Sequence, residues 1–402
     1  MVNFLRFLLI LFFSVFSFCF NIQNNQSTKR FLQMGLNDYE LAKEYYEFKT
    51  KKQINTMFFE NSLDKSELTD DDYIEFAKNY EKNYRIFTGN WFRIKDHNEK
   101  NKYKLEINKF ADTVDFNSNE LPDDLMKCTK DFEIPPKPWF KHIIYKVQNF
   151  FSNHPKEIDW RKKKILTEVK NQKSCGSCWA FSSTSALEAF LRKNKLKVGR
   201  LSEQELVDCS KENYGCNGGL MDLAFDYCIE NGGLHSDENY PYNARDNPCM
   251  KNCQIEERKC SDSDKVKGSG DFSYKYTIPY SIKSLKESVL QTPVSIALNA
   301  DSPAFRFYSE GVVEDLGEMR DQINHAVLLV GYSYDEKGMY WIIQNSWGKD
   351  WGDNGFIKIR SKEGSGILSC QIYGVYPVEK IKEDEIEEVK EDEIEEEKLK
   401  KN

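Results

Sequence analysis

The chain has 402 residues, 40% of them apolar and 14% aromatic, with a formal net charge of −8. That length accommodates roughly two or three domains, and the apolar fraction can fill at least one large core, which excludes a wholly disordered or collagen-like chain. Residues 379–402 carry 12 Asp/Glu against 6 Lys/Arg, so the remaining body is nearly neutral. It has no basic stripe for nucleic acid.

In chain order, Met1–Arg6 bears one positive charge, and Phe7–Phe20 is apolar apart from Ser14 and Ser17. This run is too short for a bilayer span of roughly 20 residues and reads as a signal peptide over residues 1–19. No later stretch is apolar enough to span a membrane. Eleven cysteines then fit the secretory route, where disulfides persist, with a lysosome, an acidic vacuole or the extracellular space as destination. Residues 20–72 form a polar N-terminal extension, which holds the sequon Asn25-Gln26-Ser27. From Tyr73 to Phe92, apolar residues recur at three- and four-residue steps, which predicts an amphipathic helix. Pro135, Pro136 and Pro138 enforce a stiff, extended linker. From His154 to Val378 the texture turns to glycine, cysteine and apolar runs. Residues 379–402 repeat Lys-Glu-Asp-Glu-Ile-Glu-Glu at an eight-residue interval. That period fits no heptad and reads as a solvated tail.

The chemistry concentrates in Ser174-Cys175-Gly176-Ser177-Cys178-Trp179-Ala180-Phe181. Helical spacing follows at Leu187, Phe190 and Leu191, with charges on the opposite side, so Cys178 should open a helix. There, unpaired amide hydrogens and the helix dipole stabilise a thiolate. A thiolate nucleophile needs a proton-carrying partner. Among five histidines, His325 stands at the polar start of the buried-strand pattern Ala326–Tyr332. Asn345, in Gln344-Asn345-Ser346-Trp347-Gly348, can orient its imidazole, and Trp347 can shield that hydrogen bond from water.

These three motifs, in this order, resemble the papain-like cysteine proteases, and more closely their cathepsin L-like branch. The likeness covers about 154–378 and, more weakly, 73–112. The resemblance implies an α+β papain-like two-domain fold, with a helical left domain and a β-barrel-like right domain. A helical inhibitory propeptide, with its linker at 73–153, precedes the peptidase domain at 154–378. It implies a cysteine endopeptidase made as a zymogen, working through a Cys178 thioester acyl-enzyme. His325 is then the general acid/base, Asn345 its orienting residue, and Gln172 the side-chain half of the oxyanion hole. Lys173 stands where the family usually has glycine. Gly218 and Gly219 would present backbone to an extended substrate, and Leu220, Met221, Ala297, Ile323 and Tyr373 would line the S2 pocket, which offers no carboxylate.

By the same resemblance Cys175 pairs with Cys216 and Cys209 with Cys249. The family's third bridge has no second cysteine to meet Cys370. Cys253 and Cys260 can close a local loop, Cys228 reads as a buried thiol, and the count leaves Cys178 free. Asn90, Ile94 and Asn98, then Asn108, Phe110 and Asp112, match the two prosegment motifs, although Glu106 replaces a usual glycine. Acid is expected to release this segment, with Asp112 as trigger. The reading calls for no metal and no cofactor. Its partners are protein and peptide substrates, its own prosegment and cystatin-type inhibitors, acting on a monomer. An inactive peptide-binding relative, or a protein that acts chiefly as an inhibitor, is the competing class.

Overall fold

The computed structural model describes residues 81–112, 155–250, 264–314 and 323–380, with Glu44, Tyr45, Phe48, Lys49 and short strands at 254–255 and 258–259. The signal peptide, the proline linker, Cys253, Cys260 and the tail beyond Lys380 lie outside the described residues. The chain falls into two compact units, 1–89 and 90–402. In the first, the buried Phe87 ring packs against Tyr45 and Phe48 at 4.9 and 5.2 Å between centroids.

Helix α1 (Glu81–Lys100) runs past Phe92, where the apolar periodicity predicts its end. Ile94 is still buried, and Asn98 holds both backbone groups of Leu105 at 2.8 Å, so the same face stays engaged for two further turns. His97 and Lys100 occupy the last turn, where positive charge suits the helix dipole. Strand β1 (Lys104–Leu105) follows.

The later elements are β2 (Ile158–Asp159), α2 (Cys178–Lys193), α3 (Glu203–Cys209), α4 (Met221–Glu230), the hairpin β3 (Gln254–Ile255) and β4 (Arg258–Lys259), and β5 (Ser273–Tyr276). Then come α5 (Ile282–Gln291), β6 (Val294–Leu298), α6 (Pro303–Arg306), β7 (Tyr308–Glu310), β8 (Val312–Val313), β9 (His325–Asp335), β10 (Gly338–Gln344), β11 (Phe356–Arg360) and β12 (Tyr373–Val378).

An eight-stranded sheet runs in the order β5-β12-β6-β9-β10-β11-β8, with β2 added to β9. All its pairings are antiparallel except β11 with β8. The first eight residues of β9 are buried, as its unbroken apolar run requires of a central strand.

Helix α2 packs on this strand and buries 13 of its 16 residues. Small side chains permit the close approach. Ser182 Oγ donates to the Val327 carbonyl at 2.8 Å, and Ser295 Oγ to the Ser182 carbonyl at 3.0 Å. The solvated charged face expected of this helix is only partly present, because Glu188 is fully buried. Its carboxylate meets Lys170, itself 3% exposed, at 2.7 Å, and Lys170 also pairs with the fully buried Glu203. Thr184 Oγ1 donates to Glu203 at 2.6 Å and Leu201 N–H to Glu188 at 2.7 Å. Two carboxylates thus share one ammonium beneath the site. Among the described residues no helix is long and apolar enough to cross a membrane.

Candidate active site

Helix α2 begins at Cys178, so its sulfur stands at the helix N-terminus, where Ser177 makes no side-chain cap. Ser177 Oγ pairs instead with Tyr242 Oη at 2.6 Å. Strand β9 begins at His325, and the next amide, Ala326 N–H, donates to Cys178 Sγ at 3.2 Å. The register of β6 with β9 places Leu298 opposite His325 and Ala297 opposite Ala326. The imidazole is therefore carried on the strand that touches the sulfur.

At the far end of β10, Asn345 Oδ1 lies 2.7 Å from His325 Nε2 and accepts from Ser346 N–H at 2.8 Å. An acceptor at Nε2 puts the imidazole proton there and turns Nδ1 towards proton exchange. Trp347 covers this bond, its ring 4.9 Å from the imidazole, and Phe305 closes a second side at 5.8 Å. Both His325 and Asn345 are buried. Burial lowers the His325 pKa to about 4; the Asn345 bond opposes this shift, and the ammonium of Lys109 adds to it.

Two backbone bonds join the cysteine side to the asparagine side. Gln172 N–H donates to the Ser346 carbonyl at 2.8 Å, and Gly348 N–H to the Lys170 carbonyl at 2.9 Å. Gln172 is fully buried. Its Nε2 donates to the Cys175 carbonyl at 3.0 Å and its Oε1 accepts from Ser346 Oγ at 2.7 Å. The amide is thereby fixed beside the Cys175–Cys178 turn. Lys173 adopts φ 54, a left-handed conformation that costs an L-residue about 1–2 kcal/mol and explains why glycine suits this position.

Cys175–Cys216 and Cys209–Cys249 are disulfides. Cys228 and Cys370 are buried free thiols, and burial pushes Cys370 up to about 12. Neither is suited to attack. One expectation is corrected. Cys178 is disulfide-bonded in this structure, whereas counting cysteines predicts a free thiol; a count of an odd set cannot say which member stays unpaired.

Gly218 adopts φ 118, and a Cβ on Gly219 would lie 2.3 Å from Asn213 Oδ1 and 2.8 Å from the Trp179 ring. Backbone conformation and close packing thus require the glycine pair. Leu220 precedes α4 and is half-buried, while Met221, Ala297, Ile323 and Tyr373 are buried in one apolar cluster, with Tyr373 opposite Ala297. None of these five side chains is a carboxylate, but one stands beside Tyr373. Asp222 accepts from Tyr276 Oη at 2.8 Å, and it assists burial in raising the Tyr373 phenol well above its usual range.

The prosegment motifs lie against this apparatus. Strand β1 pairs with β7, Glu106 N–H donates to the Phe307 carbonyl at 2.8 Å, and buried Asn108 donates to the Arg306 carbonyl at 2.7 Å. Phe110 meets Trp347 edge-on at 4.9 Å, and Lys109 Nζ lies 5.5 Å from the same indole. Asn90 and Asp112 are fully buried, and Asn90 Nδ2 donates to the Ala111 carbonyl at 2.8 Å.

A cysteine at a helix start, a histidine at a strand start and an asparagine across the sheet, with a prosegment packed on Trp347, define a thiol peptidase proform. The profile described as "Papain family cysteine protease" matches residues 154–375, and the chain belongs to that family. It is 38% identical over 308 residues to the KDEL-tailed cysteine endopeptidase CEP2 of Arabidopsis thaliana, covering 74% of this chain and 80% of the relative. It is 39% identical over 318 residues to cathepsin L1 of Drosophila melanogaster, covering 75% and 82%. Among solved structures, digestive procathepsin L2 from the larval midgut of Tenebrio molitor superposes with a TM-score of 0.65 at 29% identity, covering 84% of this chain and 99% of that one. The protein is a papain-family cysteine endopeptidase made as a proform.

Proposed function

We propose that the proform matures into an endopeptidase in which Cys178 attacks the scissile carbonyl and forms a thioester. His325 protonates the leaving amine and then activates the water that hydrolyses the thioester. Asn345 holds the imidazole, and the Cys178 amide with Gln172 Nε2 receives the oxyanion. The observation that carries this reading is the 2.7 Å His325–Asn345 bond on a strand whose next amide touches Cys178 Sγ. Because Cys178 is held in a disulfide, a thiol reductant must first release the thiolate. Stoichiometric labelling by an epoxide-type affinity reagent, on Cys178 and only after reduction, tests the assignment. Labelling elsewhere overturns it. The route is the secretory pathway, ending in an acidic compartment or outside the cell, after loss of residues 1–19 and cleavage near 153/154.

Residues 90–112 act as the inhibitor. Asn108→Leu removes the hydrogen bond to the Arg306 carbonyl and leaves that acceptor unsatisfied, at a cost of about 1–3 kcal/mol. The variant zymogen should mature roughly ten-fold or more faster than wild type at neutral pH. An unchanged maturation rate on gels would dissociate Asn108 from inhibition.

Specificity follows from the pocket. With Tyr373 between the apolar lining and Asp222, substrates with Leu at P2 should exceed those with Arg in kcat/KM, since each buried methylene contributes roughly 1 kcal/mol. Tyr373→Ala should open the path to Asp222 and raise Arg relative to Leu by roughly ten-fold, the scale of one charge-assisted contact. An unchanged P2 ranking in this variant would remove Asp222 from the pocket.

A further inference from the structure

Behind the dyad, between α2 and the β9–β10 pair, lies a cavity of about 10 Å³, lined among others by Lys170, Ser185, Val327, Gln344 and Asn345. That volume suits one water, and such a site needs polar partners to hold it. Two residues of the lining supply them. Asn345 is 3% exposed and its Nδ2 has no hydrogen-bond partner, although Oδ1 is fully engaged by His325 and Ser346. Gln344, 5% exposed, has an unpartnered Oε1. One is a donor and the other an acceptor, so a molecule that both accepts and donates satisfies the pair. Lys170 does not compete for it, since its three ammonium hydrogens serve Thr184, Glu188 and Glu203. Ser185 lines the same space.

We propose that this cavity binds one ordered water, which accepts from Asn345 Nδ2 and donates to Gln344 Oε1, making Gln344 a positioning residue for Asn345. The physical need is specific. The two ends of an Asn amide have nearly the same shape, and only Oδ1 can accept from His325 Nε2. Ser346 N–H favours that orientation from one side, and the water completes it from the other. Gln344 touches neither substrate nor imidazole and acts through Asn345 alone. The kinetic consequence rests on the peptidase reading above; the water itself does not.

The test has two arms on the full chain matured in acid. Gln344→Met keeps the shape and removes the acceptor. It should lower kcat roughly ten-fold with KM unchanged, and in an Asn345→Ala background it should cost nothing further, because the group it positions is gone. A loss of equal size in both backgrounds, or a loss expressed in KM, overturns the proposal. The second arm is a high-resolution crystal structure of the wild-type enzyme, which needs no variant to fold and no activity. A water within hydrogen-bond distance of both Asn345 Nδ2 and Gln344 Oε1 is the expected result. A dry cavity, or an asparagine bonded directly to protein there, rejects the site even if Cys178 proves to be the nucleophile.

Discussion

Cys178→Ser is expected to abolish both cleavage of peptide substrates and self-maturation while leaving the fold intact. Serine matches cysteine in shape, but its hydroxyl does not ionise in this setting. The helix N-terminus that stabilises a thiolate therefore has no anion to stabilise. Loss of the nucleophile removes essentially all of the covalent route, an effect of several orders of magnitude in kcat. The measurement is turnover of a fluorogenic peptide alongside a maturation gel, with circular dichroism to verify folding. Turnover that stays dependent on a thiol reductant in this variant would reject the nucleophile. The same variant supplies an inert background for stability measurements, since it cannot digest itself.

In that background, Lys170→Met should destabilise the protein by about 3–5 kcal/mol, because it leaves Glu188 and Glu203 buried without their cation. Burial alone disfavours the Lys170 ammonium, but the two carboxylates outweigh it and raise its pKa. Burial raises the pKa of Glu203, with Lys170 opposing and Glu188 adding to the shift. The folded protein therefore binds a proton at Glu203 more tightly than the unfolded chain, whose ordinary value is 4.5. This contribution to stability is complete below that value and is lost as pH rises through the raised folded one. Denaturation midpoints should fall with pH above about 4.5, and Glu203→Gln, which keeps the acceptor and needs no proton, should flatten that slope. A Lys170→Met loss below about 1 kcal/mol would mean that water reaches the carboxylates.

The three residues proposed for catalysis were legible because each sits in a short, chemically unusual run. Cys178 precedes a helical pattern, His325 precedes a strand pattern, and Asn345 sits beside a tryptophan where a strand ends. Local sequence specifies those boundaries, and the boundaries position the side chains. The buried charges were not legible. Glu188 and Glu203 lie 18 and 33 residues beyond Lys170, and taken singly each looks like part of a solvated face. Only tertiary packing brings them together. Helix α1 outran its apolar periodicity because Asn98, a polar residue, makes the last contacts of its buried face. Lys173 showed only as a departure from a family habit; its left-handed backbone supplies the reason.

Among the described residues, the prosegment meets the peptidase body through the two-residue ladder between β1 and β7 and through Glu106, Asn108, Lys109 and Phe110. While the chain is intact, that contact is intramolecular, and the tether supplies an effective concentration of order millimolar. One cut after the prosegment turns the same contact into an encounter between two molecules. In a dilute space the fragment then drifts away, whereas in a small vesicle it lingers and rebinds. The volume into which the first cleaved molecules are released therefore helps set how abruptly activity appears, so the compartment acts as part of the switch.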